Sequence, residues 1–192
     1  MLRSLSIVLL LNLLFCNVAY GDDYTDHGTT GTLNTDYFNP TNDDFITWRI
    51  KDIEVHHLRP AVGHLRDGDY KRAFADLDFI LVRFVNHPQA LSMMGLVAKW
   101  TKNSILVVPY YERALGLYPE YALTNAQYGK YLIDINHVEK GIAKLKRALE
   151  IDPKLVVAYE WLAAAYVKIG DSDLARKVAE QARSLGHSEK SR

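Results

Sequence analysis

Arg113-Ala114-Leu115-Gly116-Leu117-Tyr118-Pro119 and Arg147-Ala148-Leu149-Glu150-Ile151-Asp152-Pro153 align residue for residue at an offset of 34. Thirty-four residues is the period of a helix-turn-helix repeat. Each phrase ends on a proline, which has no backbone N–H and cannot continue a helix. Between the two, Tyr128-Gly129-x-x-Leu132 occupies a first helix, Asn136-His137 a turn, and Ile142, Leu145, Ala148 and Leu149 the apolar side of a second helix.

The pattern continues toward the C-terminus. After Pro153 come Tyr159-x-x-Leu162-Ala163-x-x-Tyr166 and then Gly170, Ala175, Ala179 and Ala182. Leu185-Gly186-His187 reads as the end of the last helix with Gly186 as its C-cap, leaving 188–192 as a frayed tail. Tyr159-x-x-Leu162-Ala163-x-x-Tyr166 stands where the tetratricopeptide repeat (TPR) family carries W-x₂-L-G-x₂-Y, and the chain resembles that family from about Glu54 to His187. The resemblance implies an all-α fold, a TPR-like α-solenoid of about four helix-turn-helix pairs with an N-terminal capping helix, spanning 42–187.

Toward the N-terminus, Gly68-Asp69-Tyr70-Lys71-Arg72-Ala73 matches Gly170-Asp171-Ser172-Asp173-Leu174-Ala175 in its Gly-Asp start and its Ala. A helix over Tyr70–Val85 follows, ended by Asn86-His87-Pro88. The next runs from Gln89 to Trp100 with Leu91, Met94, Val97, Ala98 and Trp100 turned inward. Pro109 is tolerable only in a first helical turn, so the partner helix begins near Val107 or Val108. Counted from proline to proline, the repeat before Pro88 is stretched by about three residues and the one after it is trimmed by three. Upstream, Thr41 or Asn42 caps a helix carrying Phe45, Ile46, Ile50, Ile53, Leu58, Val62 and Leu65 at helical spacing. Pro60 predicts a kink or break near Leu58–Pro60.

The chain opens with Arg3, an apolar run from Ile7 to Phe15, and Ala19-Tyr20-Gly21. This is the layout of a secretory signal peptide over 1–21, so the protein is expected to be exported, to a periplasm, with a mature chain from near Asp22. Cys16 is the single cysteine and leaves with the leader. The alternative, a lipoprotein anchored at Cys16, places the bulky Phe15 where such signals carry a small residue. The segment from Asp22 to Asp44 holds six Asp and no Lys or Arg, and 22–41 reads as an acidic flexible arm. One reading of that arm lays it on a basic part of its own scaffold.

Lys plus Arg and Asp plus Glu each number 23, a balance that argues against a nucleic-acid partner. The TPR resemblance implies a concave groove lined by Ser92, Gly95, Lys99, Lys102 and Asn103, then Leu123, Ala126, Lys130, Ile133 and Asp134, then Val157, Glu160, Ala164, Val167 and Lys168. Lys99, Lys102, Lys130, Asp134 and Lys168 are the candidate partner-binding residues, for a protein or peptide partner with an acidic segment. The carboxylate clamp of some TPR co-chaperones is missing from the corresponding positions, which include Gly95, Leu123 and Gln127. Glu54, His56, His57 and His64 are the alternative site, since a Glu and a His three apart occur in di-metal carboxylate bundles. Those bundles need a second Glu-x-x-His, which the chain lacks. Nothing resembles a nucleophile elbow, a phosphate-binding glycine loop or a His-Glu-x-x-His zinc motif. The expected function is therefore a non-catalytic interaction scaffold, with no cofactor and no membrane span in the mature chain.

Overall fold

The computed structural model describes residues 34–39 and 44–190, with side chains for 34–39 and 49–186. The expected leader, the arm up to residue 33 and the cap at Thr41 or Asn42 lie outside those residues. The helices are α1 (Asp44–Ile53), α2 (Arg59–Arg66), α3 (Tyr70–Arg83), α4 (Pro88–Trp100), α5 (Val108–Leu117), α6 (Ala122–Asp134), α7 (Val138–Ile151), α8 (Val156–Lys168) and α9 (Ser172–Lys190), with a π-helical turn over Glu54–Leu58 between α1 and α2. Among the described residues there is no strand. An isolated β-bridge pairs Thr35 with Phe84.

The 34-residue period holds through the whole solenoid. α4, α6 and α8 begin at Pro88, Ala122 and Val156, the π-turn continuous with α1 begins at the equivalent Glu54, and α3, α5 and α7 end at Arg83, Leu117 and Ile151. The turns inside the pairs centre on Gly68, Lys102, Asn136 and Gly170, all at positive φ (76°, 56°, 70° and 82°). Each turn closes with the same backbone bond: the N–H of Asp69, Asn103, His137 and Asp171 donates to the carbonyl of His64, Ala98, Leu132 and Tyr166. This is a Schellman closure, and the residue before its final donor must be left-handed. Glycine takes that conformation without strain and asparagine at modest cost. Lys102 is held there by the same closing bond.

The stretched and trimmed repeats inferred from proline spacing are thus corrected to four repeats of equal length. Pro119 and Pro153 sit three residues before the next helix, whereas Pro88 is the first residue of α4. Val85 is the positional counterpart of Pro119 and Pro153. Proline is favourable at both places: Pro88 stands in a first turn, where an N–H would have no partner inside the helix, and Pro119 and Pro153 follow the C-caps Tyr118 and Asp152, where the helix has already ended. What is irregular is α5, which starts four residues later than its counterparts would. A start at Ser104 would put Pro109 in the helix interior, so the first turn is replaced by the loop Thr101–Val107, as Pro109 predicts.

Burial follows the same period. The small residues Ala61, Gly95, Gly129 and Ala163, and likewise Ala73, Val107, Gly141 and Ala175, recur at the repeat spacing, all buried. Leu77, Tyr111 and Leu145 fill the interior at the next equivalent position, and Ile80, Ala114, Ala148 and Ala182 at the one after. Pro60 occupies the place of Met94, Tyr128 and Leu162. The helix does not break there. Ile53, Leu58 and Arg59 keep right-handed helical angles, and the missing donor is absorbed by the wider π-turn just upstream, a common accommodation. Nor does Gly186 cap the last helix: α9 continues to Lys190.

Candidate partner-binding surface

Four first helices stacked at equal spacing form the inner face of a solenoid, and α4 packs on α6 and α6 on α8. With the register set by the turns, the inward-facing positions of the first pair are Val55, Leu58, Val62, Leu65 and Arg66. Those of the second are Gln89, Ser92, Leu96, Lys99 and Trp100. The second set differs by three residues from the one carried over from the proline spacing. Gly95 is accordingly buried, where a Cβ would meet the Tyr131 ring at 3.3 Å, while Lys102 and Asn103 lie in the turn. Ala126 and Ile133 are also buried.

Trp100, expected to turn inward, is 59 % exposed. With Leu96 (46 %), Val62 (55 %), Val55 (44 %) and Val167 (68 %) it gives this face a run of exposed apolar side chains. The Tyr70 ring lies parallel to Trp100 at 6.4 Å. The sequence signal for Val62, Leu96 and Trp100 was the recurrence of Gly68 at Gly170, three periods apart. Numbering from those turns, not from Pro88, places them on the inner face.

The candidate cations line the turn end of the same helices. Lys99 Nζ lies 6.0 Å from the Trp100 ring centroid. Lys130 Nζ donates to both Asp134 carboxylate oxygens, at 2.7 and 2.6 Å, one helical turn apart on α6. Lys168 Nζ reaches across from α8 to donate to the Ile133 carbonyl at 2.7 Å. Lys130, Asp134 and Lys168 therefore form one patch, and Lys99 belongs with Trp100. Gln127 Nε2 ties α6 to α4 by donating to Ser92 Oγ (2.9 Å) and the Pro88 carbonyl (3.1 Å).

The outer face carries an open cleft of about 740 Å³ between α5 and α7, lined by Ile105, Leu115, Tyr128, Lys140 and Lys144 among others.

The Glu54–His64 cluster does not converge. His57 and His64 each turn Nδ1 to a different oxygen of Asp76, both at 3.0 Å, which ties α2 and the π-turn to α3. His57 also stacks on Phe79 at 3.9 Å, and exposed His56 approaches Asp52 at 3.4 Å. Glu54 points elsewhere, accepting from the Tyr37 hydroxyl at 2.9 Å. Among the described residues no group of three or more His, Cys, Asp or Glu is placed to hold a metal ion, and no helix is long and apolar enough to cross a membrane.

His87 is wholly buried beneath the Tyr37 ring, with centroids 4.3 Å apart. Its Nδ1 accepts from the Ala90 N–H at 3.2 Å and so caps α4. The proton of the neutral ring is therefore on Nε2, 3.5 Å from Glu54 Oε1. Burial lowers the pKa of this imidazole, and the Glu54 carboxylate opposes the shift only in part. A histidine depressed in the folded state contributes stability that is fully present above its ordinary value near 6.5 and is lost as the pH falls from there through the depressed value. Thermal unfolding from pH 7.5 to 5 is expected to show this decline, at up to about 1.4 kcal/mol per pH unit from this residue. His87→Asn keeps an oxygen able to cap α4 and cannot titrate, so its decline should be shallower than wild type's. Equal slopes would assign the acid sensitivity to other groups.

The fold and its inner face define an α-helical repeat solenoid that presents a concave surface. A family model for the tetratricopeptide repeat matches residues 144–177. Among solved structures, the chain is similar to MamA (41-end) from Desulfovibrio magneticus RS-1, with 25% identity over 67% of this chain and 72% of that one and a TM-score of 0.53. It is similar to Pseudomonas aeruginosa pilF, with 18% identity over 71% and 63% and a TM-score of 0.57. It is also similar to YrrB, described as a TPR protein with an unusual peptide-binding site, with 18% identity over 68% and 71% and a TM-score of 0.51. No curated protein sequence matches. The chain thus has the fold of a tetratricopeptide-repeat solenoid and matches that family's model over residues 144–177, an architecture that serves as a protein-interaction scaffold.

Proposed function

We propose that this protein is a non-catalytic adaptor or assembly factor of the cell envelope, which holds a peptide segment of a protein partner on its concave face. The observation that carries the reading is the exposed run of Val62, Leu96, Trp100 and Val167 on the first helices, with Lys99, Lys130 and Lys168 along one side. A protein surface leaves such apolar side chains in a row where a partner covers them. The fitting partner is a segment with apolar side chains on one side and Asp or Glu on the other. The helices that bear the surface are held by tertiary packing, so binding would need little rearrangement. The peptide-binding site ascribed to YrrB supports the reading by likeness of fold.

Isothermal titration against synthetic acidic-apolar peptides tests it. Trp100→Ala is expected to weaken the best binder by about 2 kcal/mol, roughly thirtyfold in Kd, because an exposed Trp central to a peptide site is a typical anchor. Lys130→Glu should weaken binding and reduce its salt dependence. Lys146→Glu, on the outer helix α7, should change neither. If all three variants bind like wild type, the concave face is not the site. The envelope location rests on the Arg3, Ile7–Phe15 and Ala19-Tyr20-Gly21 pattern. N-terminal sequencing of protein recovered from an exporting host should read from Asp22, and a retained Met1 would refute export by cleavage.

A further inference from the structure

Residues 34–39 lie against the scaffold in the manner of a bound peptide. Their backbone is paired first: the N–H of Asn34 and of Thr35 donate to the carbonyls of Val82 (3.3 Å) and Arg83 (2.7 Å), and the Tyr118 hydroxyl donates to the Asn34 carbonyl (2.7 Å). Their side chains are then read one by one. The Arg113 guanidinium donates to Asn34 Oδ1. The Asp36 carboxylate takes the Tyr121 hydroxyl on one oxygen and Asn86 Nδ2, at 2.7 Å, on the other. Tyr37 enters between His87 and Glu54, and Phe38 stacks on Tyr121 at 4.8 Å.

Asn86 is the decisive residue. It is fully buried, and its side-chain amide is spent on the segment: Oδ1 accepts the Tyr37 N–H at 2.8 Å while Nδ2 donates to Asp36. A buried amide without partners is costly. The trough is thus built for a chain that offers a backbone N–H and a carboxylate at this spacing. It draws its groups from the first two repeats, through the π-turn and the loops that follow α3 and α5, and it is separate from the concave face.

We propose that this trough is a binding site for a short linear peptide of the form Asn-x-Asp-Tyr-Phe, filled in cis by residues 34–38. Only residues 40–43 separate the docked segment from α1, so the cis copy enjoys an effective concentration in the millimolar range and keeps competitors out. When the cis copy is weakened, the trough takes the same peptide in trans.

The test uses the full chain and a fluorescein-labelled synthetic peptide spanning Leu33–Asp44, read by fluorescence anisotropy. A Tyr37→Ala, Phe38→Ala double variant is expected to bind the peptide at least tenfold more tightly than wild type. The same peptide with Ala in place of Tyr37 should bind at least tenfold more weakly. Adding Trp100→Ala to the double variant should leave binding unchanged, which separates this site from the concave one. A double variant that retains its helical circular dichroism yet binds no better than wild type overturns the proposal, as does equal binding of the two peptides. Should the double variant unfold, Asp36→Ala, which removes one carboxylate and keeps the aromatic packing, serves for the same comparisons.

Discussion

Gly141→Ala is expected to lower stability by about 2–3 kcal/mol and the melting temperature by roughly 5–10 °C, read by urea and thermal unfolding. A Cβ on Gly141 would sit 2.5 Å from Ile133 Cγ1 and 2.6 Å from the Gly129 carbonyl oxygen, and one on Gly129 would sit 2.8 Å from the Gly141 carbonyl oxygen. Ile133 can turn aside, but a helical carbonyl cannot. The methyl group can be accommodated only by separating α6 from α7 along their whole contact. That cost exceeds the gain of about 1 kcal/mol that alanine brings to a helix interior. At the equivalent positions the other three repeats carry Ala61 and Ala73, Gly95 and Val107, and Ala163 and Ala175, so only the third has glycine at both. Gly116→Ala is the control with opposite sign. Its Cβ would meet nothing within 4 Å, and stability should rise by about 0.5–1 kcal/mol.

Tyr111→Ala should cost about 3–5 kcal/mol, the range for deleting a large buried aromatic side chain. Tyr111 is 2 % exposed, stacked on Tyr128 at 5.0 Å, with Tyr131 at 6.1 Å. These three rings join α5 to α6, and they do so where α5 lacks its first turn. Two of them also hold polar partners: Tyr128 donates to Glu112 at 3.3 Å and Tyr131 to the Ser104 carbonyl at 2.5 Å. Tyr131 therefore also anchors the loop that replaces the missing turn. Burial pushes the Tyr128 and Tyr131 phenols up to about 12, so both remain hydrogen-bond donors at neutral pH. Tyr111→Leu, which restores the residue type of Leu77 and Leu145 at this position, should recover a large part of the loss. A Tyr111→Ala protein as stable as wild type in urea would show that the second and third repeats are held by other contacts.

The helices themselves were legible because their signals are local. The 34-residue recurrence, the late start of α5 at Pro109 and the turns at Gly68 and Gly170 each act within one or two helical turns of the residue that carries them. Proline was also where the reading went astray. Pro88 opens a helix while Pro119 and Pro153 follow the end of one, and proline is favoured in both places, so spacing between prolines could not separate them. Sequence also placed Lys99, Lys130, Asp134 and Lys168 on first helices. It could not show that Lys130 and Asp134 pair, or that Lys168 reaches the Ile133 carbonyl one repeat away.

By itself, the sequence determined that this is a helical repeat protein, how long its repeats are and where most of its helices begin. Tertiary structure decided which side chains stay in water and what the N-terminal segment does. Trp100 is exposed because no helix among the described residues covers that side of α4, and residues 34–39 are docked because Asn86, Tyr118 and Tyr121 await them from 49 to 85 residues away. Helix formation is set by neighbours in the chain, whereas burial and docking are set by partners that only the stacked repeats bring together.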